Sequence, residues 1–422
     1  MAAAPPDDAA VLEAVAAERG PMEALLEDLV RARTLLGAEA DGQDVMRRAF
    51  AGLGLEPVDV ALDPDELRAS PAASPFSWDV TGKASVVARW PARPGGAGRS
   101  LVLNGHVDVV SPEPSSLWTS DPWEPRREGE WLYGRGAGDM KAGLAAIVGA
   151  VAGLRRLGYA PGAFVELQSV VEEECTGNGA AACVLAGGSA NAAVLTEPTG
   201  GAIWNAQVGV LWFSVRVAGH PAHAGWATTG HNAIEAMVPV IAALRELEAE
   251  INAAPAPPPF TDNPHPINLN VGTTRGGDWP STVAGECVAE MRIALFPGER
   301  LEDLRARVEA TVAAAAASDA FLQKCTVEVR YDGFACDGYV LESDPVIDAV
   351  GAAAARVSGA VPGLVASTAT TDARTFHLHG ATPAICFGPV AENIHSVDER
   401  VHLPSVLTTA QTLALFVRDW CA

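Results

Sequence analysis

Apolar residues recur at helical spacing near the start of the chain. Val11, Val15, Met22, Leu25, Leu26 and Val30 stand between acidic positions and predict one or two surface helices over residues 9–36. Residues 43–53 predict another. The period then changes. Residues 84–90 carry a strand pattern that ends at the turn sequence Pro91-Ala92-Arg93-Pro94-Gly95-Gly96. Residues 100–110 and 163–171 are nearly unbroken apolar runs, the mark of strands covered on both faces, and residues 192–196 repeat it. Helical patterns at 140–157, closed by Gly158, and at 178–185 separate these strands. Strands alternating with helices predict an α/β fold, a mostly parallel sheet with helices on both faces.

A different unit interrupts this pattern. Residues 207–218 alternate apolar and polar side chains, as a half-exposed strand does. A helix at 232–251, a Pro-rich loop at 254–266, strands at 267–274 and 282–295, a helix at 301–318 and a strand at 326–331 follow. Strand–helix–strand–strand–helix–strand is the order of a ferredoxin-like α+β fold. Helices at 345–358 and 405–420, with a strand at 384–387, return to the first style. The chain reads as an α/β domain of residues 1–206 and 332–422, with an α+β domain of residues 207–331 inserted in it.

Charge narrows the function classes. The chain has 29 Lys and Arg against 52 Asp and Glu, a net charge of −23. Such a balance excludes a nucleic-acid binder, which neutralises phosphates, and docking on anionic lipid. The surplus acids either solvate the surface or hold cations. The seven cysteines are odd in number and form no CxxC pair, so a disulfide framework or structural zinc knuckle is not expected. The N-terminus lacks the basic region of a secretory signal, and the longest apolar run, residues 142–154, is shorter than the ~20 residues a bilayer requires. The expectation is a cytoplasmic protein without nucleic-acid or membrane partners.

Five acid and histidine clusters follow predicted strands, where α/β sheets bind their ligands. His106 and Asp108 close the 100–110 run, in an HxD spacing that can supply a metal-bound imidazole and its carboxylate partner. Alone, it equally suits a core histidine satisfied by a neighbouring acid. Asp139 follows the glycines of Gly134-Arg135-Gly136-Ala137-Gly138, where a plain helix cap is the ordinary reading. Glu172, Glu173 and Glu174 follow the 163–171 run; alone such a run is ordinarily a solvated acidic turn, but if buried together the like charges are costly unless a cation compensates them. Glu197 follows the next strand, and His395 lies after the 384–387 strand. Together they are a nitrogen and oxygen ligand set suited to zinc, with one Asp able to bridge two ions.

In this order, HxD, GRGxxDxKxG, a glutamate pair followed by glycines, an acid after the next strand, GxxAHAG and HSxDE, the sequence resembles a known family. It is that of the co-catalytic zinc aminoacylases, acetylornithine deacetylases, succinyl-diaminopimelate desuccinylases and glutamate carboxypeptidases. The resemblance runs from about residue 80 to the C-terminus. It implies that Asp139 bridges two zinc ions, with His106 and Glu197 completing one and Glu174 and His395 the other; cobalt or manganese can substitute. It also implies that Asp108 orients His106 and that Glu173 is the general base. The triple glutamate leaves a shifted register open, with Glu172 as the base; Gly179 falls at the family's glycine when Glu173 takes that role.

The resemblance further implies a homodimer through the inserted domain, which also serves as a lid. There His223, in Gly219-His220-Pro221-Ala222-His223-Ala224-Gly225, reaches the partner's active site and stabilises the oxyanion. Arg374 resembles a residue of the family's substrate loop and pairs with a substrate carboxylate or with Asp372. One departure stands out. Trp279-Pro280-Ser281-Thr282-Val283-Ala284 occupies the place of an Asn-Val-Ile-Pro-like segment, so Ser281 or Thr282 takes over the substrate contact. The implied activity is hydrolysis of the amide bond of an N-acyl amino acid or related small amide. A metallo-exopeptidase, or a deformylase of a small amine such as an aminopyrimidine, shares every motif. A non-catalytic binding protein on the same fold is opposed by the complete ligand set and the retained Glu173.

Overall fold

A computed structural model describes residues 5–422. Its large sheet has nine strands. The two longest buried ones, Leu101–His106 and Val165–Val170, lie side by side and parallel, and all six residues of each are buried. Ala193–Leu195 runs parallel to Leu101–His106, and Ala384–Cys386 parallel to Ala193–Leu195. Antiparallel strands join at the margins, Ala84–Trp90 with Pro57–Ala61 on one side and Ile203–Gln207 with Tyr339–Val340 on the other, where Leu364–Ser367 also pairs with Ile203–Gln207 in parallel. Helices cover both faces. Ala142–Arg156 packs against Leu403–Trp420, Asp8–Ala16 and Arg19–Arg31; Asn178–Leu185 packs against Ala373–His379.

Ala142–Arg156 is apolar all round because it is buried all round. With the preceding turn it makes a stretch, Ala137–Arg156, long and apolar enough to cross a membrane by composition, but 83 % of the 18-residue window that meets that test is buried inside the fold. It is a core helix. Gly143 permits a close approach to the sheet: a Cβ there would stand 2.1 Å from the Thr196 carbonyl oxygen, at the end of a central strand.

The second sheet is antiparallel, in the order Leu269–Gly276, Glu286–Leu295, Gly209–Ala218, Thr326–Arg330, with Ala335–Cys336 also on Gly209–Ala218. Alternation decides its two faces. Leu211, Phe213, Val215 and Val217 are buried against helices Ala233–Ala253 and Leu301–Ser318, sharing a core with Val240, Leu244, Val308 and Val312. Trp212, Ser214 and Arg216 face the other way and stay half-exposed.

Residues 207–218 are not one strand. Gln207 ends a strand of the large sheet, and Gly209 begins one of the second. The apolar pattern runs on because the chain passes from one core directly into the other at Val208, which is fully buried. The return crossing lies against it: a Cβ on Gly209 would stand 2.5 Å from the Cys336 carbonyl oxygen. A third, four-stranded sheet joins Arg126–Glu128 and Trp131–Tyr133 to Ala391–Glu392 and Arg400–His402, and its strands of two or three residues are too short to carry a period. All seven cysteines are free.

Gly143→Ala is expected to lower stability in urea by ~1–3 kcal/mol, the usual cost of overpacking a core. Gly20→Ala, with nothing within 4 Å of its added methyl, is expected to be neutral or stabilising by up to ~1 kcal/mol. Equal urea midpoints for the two variants would contradict this packing.

Candidate metal centre

The candidate ligands meet at the carboxyl ends of the parallel strands. His106 is the last residue of its strand and 1 % exposed. Its Nδ1 lies 2.9 Å from the Asp108 carbonyl oxygen. A carbonyl only accepts, so Nδ1 carries the proton and Nε2 is free to act as a ligand. Nε2 points at Asp139 Oδ1, 3.2 Å away, and stands 3.9 Å from both Glu173 Oε2 and Glu197 Oε2. The other oxygen of Asp139 faces the second histidine: Oδ2 lies 3.4 Å from His395 Nε2, which is also 3.0 Å from Glu174 Oε2. Asp139 thus stands between two imidazoles with one oxygen toward each.

Electrostatics follow from this crowding. Burial opposes charge on His106, but Asp139, Glu173, Asp108 and Glu197 hold its imidazolium well above the ordinary histidine range. Burial likewise opposes charge on His395, yet Glu174 and Asp139 raise it to about 11. Asp139 is driven the other way, below the carboxylate range, by hydrogen bonds from both histidines that outweigh its burial. Burial raises Glu173 and Glu197 well above that range despite His106; Glu197 adds to the rise of Glu173, and Asp139 adds to that of Glu197.

Such a cluster fits a divalent metal. Ligand atoms of His106, Asp139 and Glu174 lie within 4.8 Å of one another. Glu197 Oε1 is buried without a hydrogen-bond partner among the described residues, an acceptor that a cation would satisfy. The mixed imidazole and carboxylate donors suit a borderline ion.

The turn carrying the three glutamates separates their directions. Glu172 has φ 62° and is fully buried. Its Oε1 accepts from Lys83 Nζ at 2.7 Å and Trp78 Nε1 at 2.8 Å, and its Oε2 from Thr176 Oγ1 at 2.9 Å. It points away from the histidines, which Glu173 and Glu174 face. Asp108 differs from expectation. Its backbone, not its carboxylate, bonds His106; the nearest carboxylate oxygen lies 3.7 Å from Nδ1. The carboxylate instead accepts from the Glu173 and Glu174 amides at 3.3 and 3.1 Å, fixing the acid turn.

Arg374 also departs from expectation. It is 2 % exposed, with its guanidinium over Phe334 and donating to the Thr176 carbonyl at 3.2 Å and the Thr375 hydroxyl at 2.9 Å. It braces the back of the glutamate turn and is closed off from solutes. Among the described residues, Asp372 forms no ion pair with it, and both of its carboxylate oxygens lack hydrogen-bond partners.

His223, Ser281 and Thr282 come together elsewhere, on the second sheet's unit. His223 bridges Thr282, and the Ala224 amide donates to the Ser281 carbonyl at 2.9 Å. His223 is exposed and stacks near Trp226. Among the described residues, no hydrogen bond or ion pair joins it to the His106 cluster within the chain.

Three contributors escaped sequence reasoning. Glu399, fully buried, accepts from the amides of Gly136, Gly138 and Asp139 at 2.8–3.0 Å and from Arg135 Nη1 at 2.6 Å, which fixes the Asp139 turn. It stands within the HSxDE motif, the one signal for it. Lys83 has no signal at all. Arg292, on Glu286–Leu295, lines a cavity beside Trp78; burial lowers its pKa against the pull of Cys336 and Glu173.

Residues 102–419 match peptidase family M20/M25/M40. The chain belongs to this family of hydrolases. It is 29 % identical over 367 residues to the N-formyl-4-amino-5-aminomethyl-2-methylpyrimidine deformylase of Bacillus subtilis, covering 82 % of this chain and 85 % of that one. It is 28 % identical over 354 residues to a succinyl-diaminopimelate desuccinylase of Dinoroseobacter shibae, covering 82 % and 89 %. Its fold is similar to that of human carnosine dipeptidase 1, with a TM-score of 0.77 at 15 % identity over 98 % of this chain and 100 % of the other.

Lys83→Met leaves the buried Glu172 carboxylate without its cation. It is expected to cost about 3–5 kcal/mol in a denaturant melt, as broken buried pairs do. A loss below 1 kcal/mol would show that Lys83 does not hold the turn.

Proposed function

We propose that the protein is a two-metal amidohydrolase that cleaves the amide bond of a small N-acyl amine, releasing a carboxylic acid and an amine. The observation that carries this reading is Asp139, which directs one oxygen at His106 and the other at His395. In this reading His106 and Glu197 hold one zinc ion, Glu174 and His395 the other, and Asp139 both. Bound zinc supplies Lewis acidity and acidifies a water molecule.

The chain's own groups then divide the work. Glu173 accepts the proton of the attacking water and delivers it to the leaving nitrogen. Burial raises its pKa above the ordinary carboxylate range, which favours proton uptake by this group. Asp108 and Glu399 hold Glu173, Glu174 and Asp139 in place through the backbone. His223 of the partner subunit donates to the oxyanion, a role that needs a homodimer formed through the second sheet's unit. Two features of this chain support that assembly. Leu269–Gly276 is the edge strand of its sheet, and Trp226 and Trp279 stand 69 % and 68 % exposed on the loops that carry His223 and Thr282. The names of the relatives put N-formyl and N-succinyl amides first in the search for substrate.

Chelation is expected to abolish hydrolysis across a panel of N-formyl, N-acetyl and N-succinyl amides and dipeptides, and zinc or cobalt to restore it. Activity indifferent to chelation would refute the class. Glu173→Gln should retain its metal and lose ~10²–10⁴ in rate. His223→Ala should lose ~10²–10³. Mixed and reassembled, these two impaired variants should recover activity, because one site of each heterodimer regains both Glu173 and His223. No recovery in verified heterodimers would mean that His223 does not act across the interface.

A further inference from the structure

The two histidines of the metal centre are held in different ways. His106 closes a buried strand, and its Nδ1 hydrogen is taken by the Asp108 carbonyl at 2.9 Å. A ligand imidazole usually passes its second N–H to such an acceptor, which fixes the ring. His395 has neither support. It stands in the loop between Ala391–Glu392 and Arg400–His402, and among the described residues its Nδ1 makes no hydrogen bond. What aims its Nε2 at Glu174 and Asp139 is therefore the backbone of that loop.

That backbone is strained. Asn393, His395 and Asp398 have φ of 58°, 57° and 54°, the left-handed region that non-glycine residues avoid. Such a conformation persists only where surrounding contacts over-determine it. Two bonds are internal. The Ser396 amide donates to the Asn393 carbonyl at 3.0 Å, and Asn393 Nδ2 donates to the Asp398 carbonyl at 3.3 Å. They set the shape of the loop but not its place. Apart from His395 itself, two polar ties reach other segments. Arg135 Nη2 donates to the Ser396 carbonyl at 3.0 Å. Asp398 Oδ1 accepts from both the amide and the hydroxyl of Thr119, at 2.9 and 3.0 Å.

Thr119 is itself anchored. The neighbouring Trp118 is buried, donates its Nε1 hydrogen to the Pro112 carbonyl at 2.8 Å and lies under the Arg135 guanidinium. Arg135 also pairs with Glu399 at 2.6 Å, which fixes the turn carrying Asp139, so its loss would disturb both metal sites. Asp398 and Thr119 make no hydrogen bond to the Asp139 or glutamate turns among the described residues. Their contact bears on the His395 loop alone.

We infer that Asp398 is a positioning residue for the second metal site: by clasping Thr119 it holds the left-handed loop in place and so aims an imidazole that has no second hydrogen bond to orient it. This rests on the two-metal reading for the role of His395. Loss of a partner that orients a ligand histidine typically costs ~10–100-fold in metal affinity, and here the loss falls on one ion of the two.

The test equilibrates zinc-loaded protein with metal buffers of falling free zinc and counts bound ions by atomic emission. Asp398→Gly removes the carboxylate, while glycine keeps the left-handed backbone at no steric cost. It is expected to release one ion per chain at ~10–100-fold higher free zinc than the wild-type protein and to hold the other unchanged. His395→Ala identifies the ion that moves. Asp398→Asn keeps an acceptor and tolerates this backbone, and should stay close to the wild type. Thr119→Ala should move the same ion in the same direction, and it carries the test if Asp398→Gly fails to fold. Coincident curves for the wild type and every folded variant would overturn the inference. Equal weakening of both ions, the mark of a general loss of structure, would do so too. The two readings fail separately. Wild-type protein that holds no zinc contradicts the two-metal site itself; two ions held alike by the wild type and all folded Asp398 and Thr119 variants contradict only the clasp.

Discussion

Four carboxylates, Asp108, Asp139, Glu173 and Glu197, are packed at the end of the large sheet around a single buried imidazole. Asp108, Glu173 and Glu197 are nearly closed to water and Asp139 is mostly so, and like charges at such spacing repel strongly in a poorly polarisable interior. The protein's own side chains answer this only in part. Both histidines are drawn toward their cationic form, and the carboxyls of Glu173 and Glu197 are drawn toward their neutral form. Every feature around the cluster follows from that constraint. A divalent cation would relieve it at once by releasing the imidazole lone pairs and satisfying the orphaned oxygen of Glu197.

The surroundings are built to prevent the cluster from relaxing. Glu399 gathers three backbone amides of the Asp139 turn, and its own charge is met by Arg135. Asp108 gathers the two amides of the glutamate turn. Lys83 holds Glu172 in a left-handed conformation that costs a non-glycine residue of order 1–3 kcal/mol. Glu399 and Asp108 fix peptide groups and Lys83 fixes the Glu172 carboxylate, so Asp139, Glu173 and Glu174 keep their oxygens free for the site. Burial is graded as well: His106 is closed off, while the His395 side chain is 51 % exposed and opens the cluster toward solvent.

Sequence reasoning reached the parts that depend on periodicity and on strand ends. The helices at 178–185, 301–318 and 345–358 have the bounds expected, because their apolar stripes begin and end abruptly. His106, Asp139, Glu173, Glu174, Glu197 and His395 converge because each follows a strand of one sheet or the loop beside it. What stayed hidden depends on contacts between distant segments. Lys83 reaches Glu172 across 89 positions, and Glu399 reaches Asp139 across 260. The carboxylate of Asp108 turns from its neighbour His106 to a pair of amides more than sixty positions away. Arg374 looked free for a substrate carboxylate until the fold closed Phe334 and Thr176 over it. The break at Val208 was illegible because two cores meet there without a polar residue between them.

The central claim is that the acid cluster is a cation cage centred on Asp139. Calorimetric titration of the chelated protein with zinc, beside the Asp139→Ala variant, tests it most directly. The account predicts two ions per chain in the wild-type protein and loss of high-affinity uptake in the variant while the fold is retained. No uptake by the wild-type protein, or equal uptake by a folded Asp139→Ala variant, would contradict it.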